Sequence, residues 1–417
     1  MMKKNLLNIG LTLSLLLGLM LASCSKDDNE IIDKDKPASV KELKGKLTGE
    51  LTLEAGSTYS LIGGYEVEKG GVLTIEEGVT ILATRTIDGA PDYILVKQGG
   101  QIIANGTKAK PIVMTSTKEQ PGAWGGLHIC GNAPINLSGG KGKSEIGDAE
   151  FGGKDPHDNS GVLKYVRLEY TGFAFSPTKE SNGVTFYGVG DKTIVEYVQT
   201  YKGADDGFEW FGGTVNGKYL VSTASEDDSF DWTDGWIGKG QFWVALQDQT
   251  APDANGTANG DCLIEADNRE DNFVNTPVSS PTLANLTLIG NNDSNNQKRG
   301  IRLRAGTNVK LYNTLIAGKE KALTVSTDET AQSFIDNKSV AEYIFTTTAF
   351  AYEDVTDLEL ATKEGNAINQ KIEFKNGYVG SIEGGKDMSF DSFFTPANYK
   401  GAVQESNDWT AGWTKGL

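Results

Sequence analysis

The chain has 417 residues, with 39 Lys+Arg against 56 Asp+Glu and only 2 His, for a formal charge of −17. That balance argues against a nucleic-acid partner, which needs clustered cations, and two histidines argue against a multi-His metal centre. Glycine is high at 51 and proline low at 11, so the chain is neither collagen-like nor Pro-rich and disordered.

At the N-terminus, Lys3 and Lys4 precede an apolar run from Leu6 to Leu21 and the tetrad Leu21-Ala22-Ser23-Cys24. A basic start, a short apolar stretch and small residues read as a signal peptide over 1–23, not a spanning helix. The tetrad resembles a bacterial lipobox, which implies acylation of Cys24 and a mature charge of −17 − 2 = −19. The following Ser25-Lys26-Asp27-Asp28-Asn29-Glu30 resembles the surface-export signal of Bacteroidota lipoproteins. Residues 24–46 are polar and read as a flexible acidic tether. The remaining cysteines, Cys130 and Cys262, are expected as small buried side chains rather than a disulfide.

Beyond residue 47, short β-rich runs alternate with Gly/Asn/Asp turns, and no amphipathic helix is evident. Gly71-Val72-Leu73-Thr74-Ile75 aligns with Gly100-Gln101-Ile102-Ile103-Ala104 at a spacing of 29. A tighter repeat matches Asp205-Asp206-Gly207-Phe208-Glu209-Trp210 with Asp227-Asp228-Ser229-Phe230-Asp231-Trp232 at a spacing of 22. The same step places Phe186 under Phe208, and Tyr197 in line with Tyr219 and Gln241. Strand repeats of 20–30 residues without helices predict a β-solenoid, with glycine supplying left-handed corners. Over Gly100–Ser116 the pattern resembles coils of right-handed parallel β-helix proteins. Ile264-Glu265-Ala266-Asp267-Asn268 and the tail from Ser392 to Leu417 look like a largely uncharacterised family of β-helix lipoproteins of Bacteroidota and other Gram-negative bacteria. The expected fold is all-β: a single right-handed parallel β-helix over 47–390 and a C-terminal cap over 391–417, with Trp409 and Trp413 covering the last coil.

Alternation within strands puts Phe186, Phe208 and Phe230 inside. Their neighbours then form an outward column of Tyr187, Glu209, Asp231, Glu265 and Arg302, with Phe211, Thr233, Asp267 and Arg304 beside it. Asp206 and Asp228 share the interior phase and are expected at corners, capping turn N–H groups. Stacked carboxylates destabilise one another unless something offsets them. Ca²⁺ held by Glu209, Asp231 and Glu265 is one relief; the arginines, or a raised pKa, are others. Paired carboxylates also match glycosidase geometry, whereas a solvated face balanced by Arg302 and Arg304 is the bland reading. The run Asp253–Asp261 alternates oxygen donors but lacks EF-hand spacing. His128, in a strand, and His157, in a loop, have no visible nucleophile partner. By resemblance, β-helix lyases use Lys or Arg as base, so a lyase would rest on Arg302 and Arg304.

The leading expectation is a ligand-binding or accessory role without assigned catalytic residues. The protein would be anchored in the outer membrane through Cys24, exposed at the cell surface, and capture glycan or another nutrient beside a TonB-dependent transporter. The ligand residues would be Tyr187, Glu209, Asp231, Glu265, Asp267, Arg302 and Arg304. A polysaccharide lyase or glycoside hydrolase and a structural adhesin are the alternatives.

Overall fold

The computed structural model describes residues 41–84, 91–175, 179–249, 260–292, 299–353, 355 and 358–417. The lipobox, Cys24 and nearly all of the Asp253–Asp261 run lie outside them. The first strand, Lys41–Leu47, already belongs to the solenoid, so coil structure begins inside the stretch read as tether.

Successive runs pair in parallel with the run one repeat later. Leu73 faces Ile102 at the spacing of 29, and Phe208 faces Phe230 at the spacing of 22. The result is one right-handed parallel β-helix with three parallel sheets. The sheet that matters most runs from Tyr93–Val96 through Leu127–Cys130, Val184–Tyr187, Phe208–Phe211, Phe230–Thr233, Ile264–Ala266, Arg299–Leu303 and Lys321–Ser326 to Phe350–Glu353. In the early coils two short strands, such as Gln101–Asn105 and Ile112–Ser116, serve the other two sheets. The single strand Gly161–Glu169 then pairs with both of them.

That fusion needs a corner inside a strand, and glycine does not make it. Tyr165, Tyr197, Tyr219, Phe242, Asn285, Asn313 and Tyr343 occupy the corner with φ of 49–61°. Left-handed backbone costs a non-glycine residue about 1–2 kcal/mol, and the outward side chains offset this by stacking. Ring centroids are 4.4 Å apart for Tyr165–Tyr197, 4.3 Å for Tyr197–Tyr219 and 5.0 Å for Tyr219–Phe242. Phe242 therefore follows Tyr219, and Gln241 pairs with Lys218; the expected alignment was one residue short at that step. Glycine is required instead at Gly207, where a Cβ would fall 2.6 Å from the Ser229 carbonyl oxygen of the next rung.

Inside, Phe208 stacks on Phe230 at 5.4 Å and Trp210 on Trp243 at 5.2 Å, all fully buried. Phe186 is interior as expected, but its rung partner is Trp210, because the step between Val184–Tyr187 and Phe208–Phe211 is 24 residues. Cys130 and Cys262 are free and buried. A helix that the sequence reading missed, α1 (Asp328–Ile335), follows the strand Lys321–Ser326 and seats Ala331 and Phe334 against the core.

The C-terminal tail does not cover the last coil. Residues 358–370 do so: Ala367 bridges Phe345, and Asn366 accepts from the Ile344 N–H. The tail runs back along the in-strand corners instead. Asn285 donates to the Tyr399 carbonyl at 2.7 Å, and Gln241 and Gln199 exchange paired hydrogen bonds with Thr395 and Lys415. Trp409 packs edge-on against Tyr219 and Trp413 against Tyr165. An unpaired ladder of aromatic corners is what the tail aromatics bury.

Candidate functional site

Outward positions of the main sheet stack in register as Leu95, His128, Thr185, Glu209, Asp231, Glu265, Arg302 and Thr324. From Glu209 to Arg302 this is the expected column. Tyr187 is not in it: the 24-residue step puts Thr185 there and moves Tyr187 beside Cys130 and Phe211. Nor is Tyr187 an exposed platform. It is 1 % exposed, stacked on Phe211 at 4.8 Å and covered by Phe151 of the insertion that follows Cys130. Its hydroxyl donates to Glu145 at 3.1 Å, holding a carboxylate from that insertion at the edge of the column.

Asp206 and Asp228 lie in the turns just before their strands, as expected, and are buried there. Each accepts a backbone N–H from the next rung: Asp206 from Asp228 at 2.9 Å, and Asp228 from Cys262. Each also brings a carboxylate oxygen within 4.8 Å of column residues, Asp206 near Glu209 and Asp231 and Asp228 near Glu265. One oxygen each from Asp206, Glu209 and Asp231 lies within 4.8 Å of the other two. Glu265 does not join this group as expected. It is held between cations, with Oε1 2.7 Å from Arg302 and Oε2 2.6 Å from Arg304. Arg304 also reaches Asp267 at 2.8 Å and Glu270 at 2.9 Å.

The column is therefore polarised along the solenoid axis. At the Arg302/Arg304 end each carboxylate has an arginine partner. Towards the N-terminus, Glu145, Glu180, Asn182, Asp205, Asp206 and Glu209 line a cavity of about 200 Å³. Burial raises the carboxyls of Glu209 and Asp231 well above the usual range. Glu145 and Asp231 add to this for Glu209, as do Glu265 and Asp267 for Asp231. Asp205 is pushed up to about 8 by burial, then by Glu180 and Asp227. Glu145 is pushed to about 7, chiefly by burial. Asp267 also rises to about 7, burial outweighing the Arg304 charge. Such a group of acids cannot all be ionised together without a counter-charge.

Asn182 bridges the column, donating to Glu209 and to Thr185. Among the described residues, Asp231 Oδ1 is buried without a hydrogen-bond partner. Three carboxylates around such an orphaned oxygen form a hard, all-oxygen donor set that fits Ca²⁺. Arg302 and Arg304 are fixed cations. Burial works against the charge of Arg304, but Asp267, Glu265 and Glu270 outweigh it and hold the guanidinium more firmly protonated than usual. Neither arginine is poised to accept a proton. His128 is buried and pushed down to about 4 by burial, and donates from Nε2 to the Gly125 carbonyl. His157 is exposed and paired with Asp191 at 2.8 Å.

Glu145, Glu180, Asn182 and Asp205 were not singled out from sequence. Asp205 carried a signal, since it repeats at Asp227. Glu145 carried none, because only tertiary packing brings the insertion over the sheet.

A family model described as a pectate-lyase like beta helix domain matches residues 45–414. No curated protein and no solved structure matches the chain. With nearly its whole length matched, the chain belongs to the pectate-lyase-like β-helix family.

Proposed function

Proceeding from that family membership, we propose that the protein is a lipid-anchored glycan-binding protein. Its acidic strand face holds a divalent cation and, with it, a carbohydrate. The observation that carries this reading is the close group of Asp206, Glu209 and Asp231, with Asp231 Oδ1 buried and unpartnered among the described residues. Bound Ca²⁺ supplies the missing positive charge and a coordination site for sugar hydroxyls. The chain's own residues do the rest. Asn182 fixes Glu209, the Tyr187 hydroxyl fixes Glu145, and Arg302 and Arg304 neutralise Glu265 and Asp267 and close the site at that end.

The anchoring part of the proposal rests on Leu21-Ala22-Ser23-Cys24 and the acidic run after it. A lipid on Cys24 would tether the solenoid to the outer membrane, where a TonB-dependent transporter could take up the captured nutrient. Palmitate labelling and membrane pelleting of the Cys24→Ala variant test this; labelling that persists overturns it.

Calorimetric titration with a panel of oligosaccharides, in CaCl₂ and in EDTA, tests the binding reading. Saturable binding that is lost in EDTA and in Glu209→Gln is the expected result. Absence of binding to every saccharide overturns it.

A second reading, a glycoside hydrolase, is favoured by one observation: Glu209 and Asp231 sit on adjacent rungs, and burial raises the Glu209 carboxyl well above the usual carboxylate range. Release of reducing ends that stops in both Glu209→Gln and Asp231→Asn would establish it. A lyase resting on Arg302 or Arg304 is disfavoured, because both are bound to carboxylates.

A further inference from the structure

Beyond the arginine end of the column lies a cavity of about 670 Å³, within the range of small-ligand sites. Two elements wall it. One is the loop that continues from Asp267, carrying Phe273, Val274 and Val278. The other is α1, which presents Asp328, Glu329 and Gln332. Both walls are fixed. The fully buried Asn268, next in chain to Asp267, donates to the carbonyls of Phe273 and Asn275 at 3.0 Å and accepts from Ser279. On the other side, Thr330 of α1 accepts from the Gly306 N–H at 2.9 Å. Gly306 lies two residues past Arg304, and Glu270 of the loop is paired with Arg304. Cavity and column are thus adjoining parts of one surface.

The lining is amphipathic. Phe273 is half-buried and Val274 is 66 % exposed, an apolar wall left open to solvent. Facing it are carboxylates and amides, which accept and donate to hydroxyl groups. Of the three lining carboxylates, Asp336 is paired at 2.9 Å with Lys338, the one cation of the described lining; Asp328 and Glu329 leave the rim net negative. A saccharide ring matches this pattern, with one C–H face for an aromatic side chain and hydroxyls for the carboxylates. A uronate ring matches it less well, because its carboxylate would meet the like charges of Asp328 and Glu329 at the rim.

We propose that the cavity between the Phe273 loop and α1 is a second subsite that takes a neutral or amino-sugar unit of the glycan whose other end lies on the carboxylate column. The assignment rests on the glycan-binding reading and narrows its ligand to an uncharged or cationic oligosaccharide.

The full chain is titrated with hexamers of glucose, mannose and galactose, with partly deacetylated chitohexaose and with hexagalacturonate, each beside its disaccharide. Phe273→Ala is expected to weaken the best hexamer about tenfold, the size of one aromatic contact, and to leave the disaccharide unchanged. Val274→Arg, at an exposed position that does not touch the core, is expected to act in the same direction by filling the cavity. Asp231→Asn is expected to weaken both ligands. If both cavity variants leave the hexamer unaffected while Asp231→Asn weakens it, the subsite is overturned and the glycan reading stands. If no hexamer binds the wild-type chain, both fall. Tightest binding by hexagalacturonate, lost in Phe273→Ala, overturns the charge assignment.

Discussion

Two ladders run along this solenoid, built by the same geometry with opposite energetics. On one flank, Tyr165, Tyr197, Tyr219 and Phe242 stack at 4.3–5.0 Å, and the tail tryptophans cover them. On the main sheet, Glu209, Asp231 and Glu265 stack at the same rung spacing, with arginines at one end only. Repeating an aromatic gains ring contact at every step. Repeating a carboxylate adds repulsion at every step. The first ladder explains itself as structure. The second carries repulsion that the proposed cation would offset.

The largest break in the comparison is expected on the aromatic side. Trp413→Ala removes a side chain only 1 % exposed and should destabilise the protein by about 3–5 kcal/mol, read as a lower urea midpoint. Next is the response of the acidic ladder to cation. CaCl₂ at a hundred times its dissociation constant should stabilise the wild type by about 2.7 kcal/mol in thermal melts and should have no effect on a Glu209→Gln/Asp231→Asn double variant.

In EDTA, pH should act in the unusual direction for an acidic protein. Carboxyls whose folded pKa is raised favour folding while protonated, and that contribution is lost as pH rises through the folded value. Asp205 at about 8, and Glu145 and Asp267 at about 7, put the loss between about pH 4, where these groups ionise in the unfolded chain, and about pH 8. A melting temperature that rises across that window would contradict the buried acidic cluster. Glu353 behaves oppositely. Burial alone would raise it, but hydrogen bonds from Arg299 and Lys321 hold it at about 2, so its contribution disappears only in strong acid.

The smallest effects separate the ladders one rung at a time. Above the pH at which the column ionises, Asp231→Asn should stabilise the metal-free protein by about 1 kcal/mol, by removing a like charge. Tyr219→Leu should destabilise it by roughly 0.5–1.5 kcal/mol, by breaking one aromatic stack.

Much of the acidic site was legible because its coils repeat. Asp205 to Trp210 and Asp227 to Trp232 share a register, and Glu265 and Arg302 fell in line although loops of uneven length intervene. Tyr187 was misplaced by the opposite circumstance. The coil from Val184 to Phe208 is two residues longer than the repeat, and a two-residue slip preserves which side chains point outward, so alternation gave no warning. The glycine excess was read as corner chemistry, which holds at Gly207. The recurrent in-strand corner is aromatic or Asn, however, because stacking and tail hydrogen bonds offset the left-handed backbone there.

By itself, the sequence determined the parallel solenoid and the identity of most of the carboxylate column, since those depend on local periodicity. Only the tertiary structure decided which acids share a site. It brought Asp206 in from a corner and Glu145 in from an insertion. It gave Glu265 to the arginines, laid the tryptophan tail along the flank and enclosed a cavity between the Phe273 loop and α1. These outcomes depend on contacts between segments far apart in the chain, where no periodicity carries the signal.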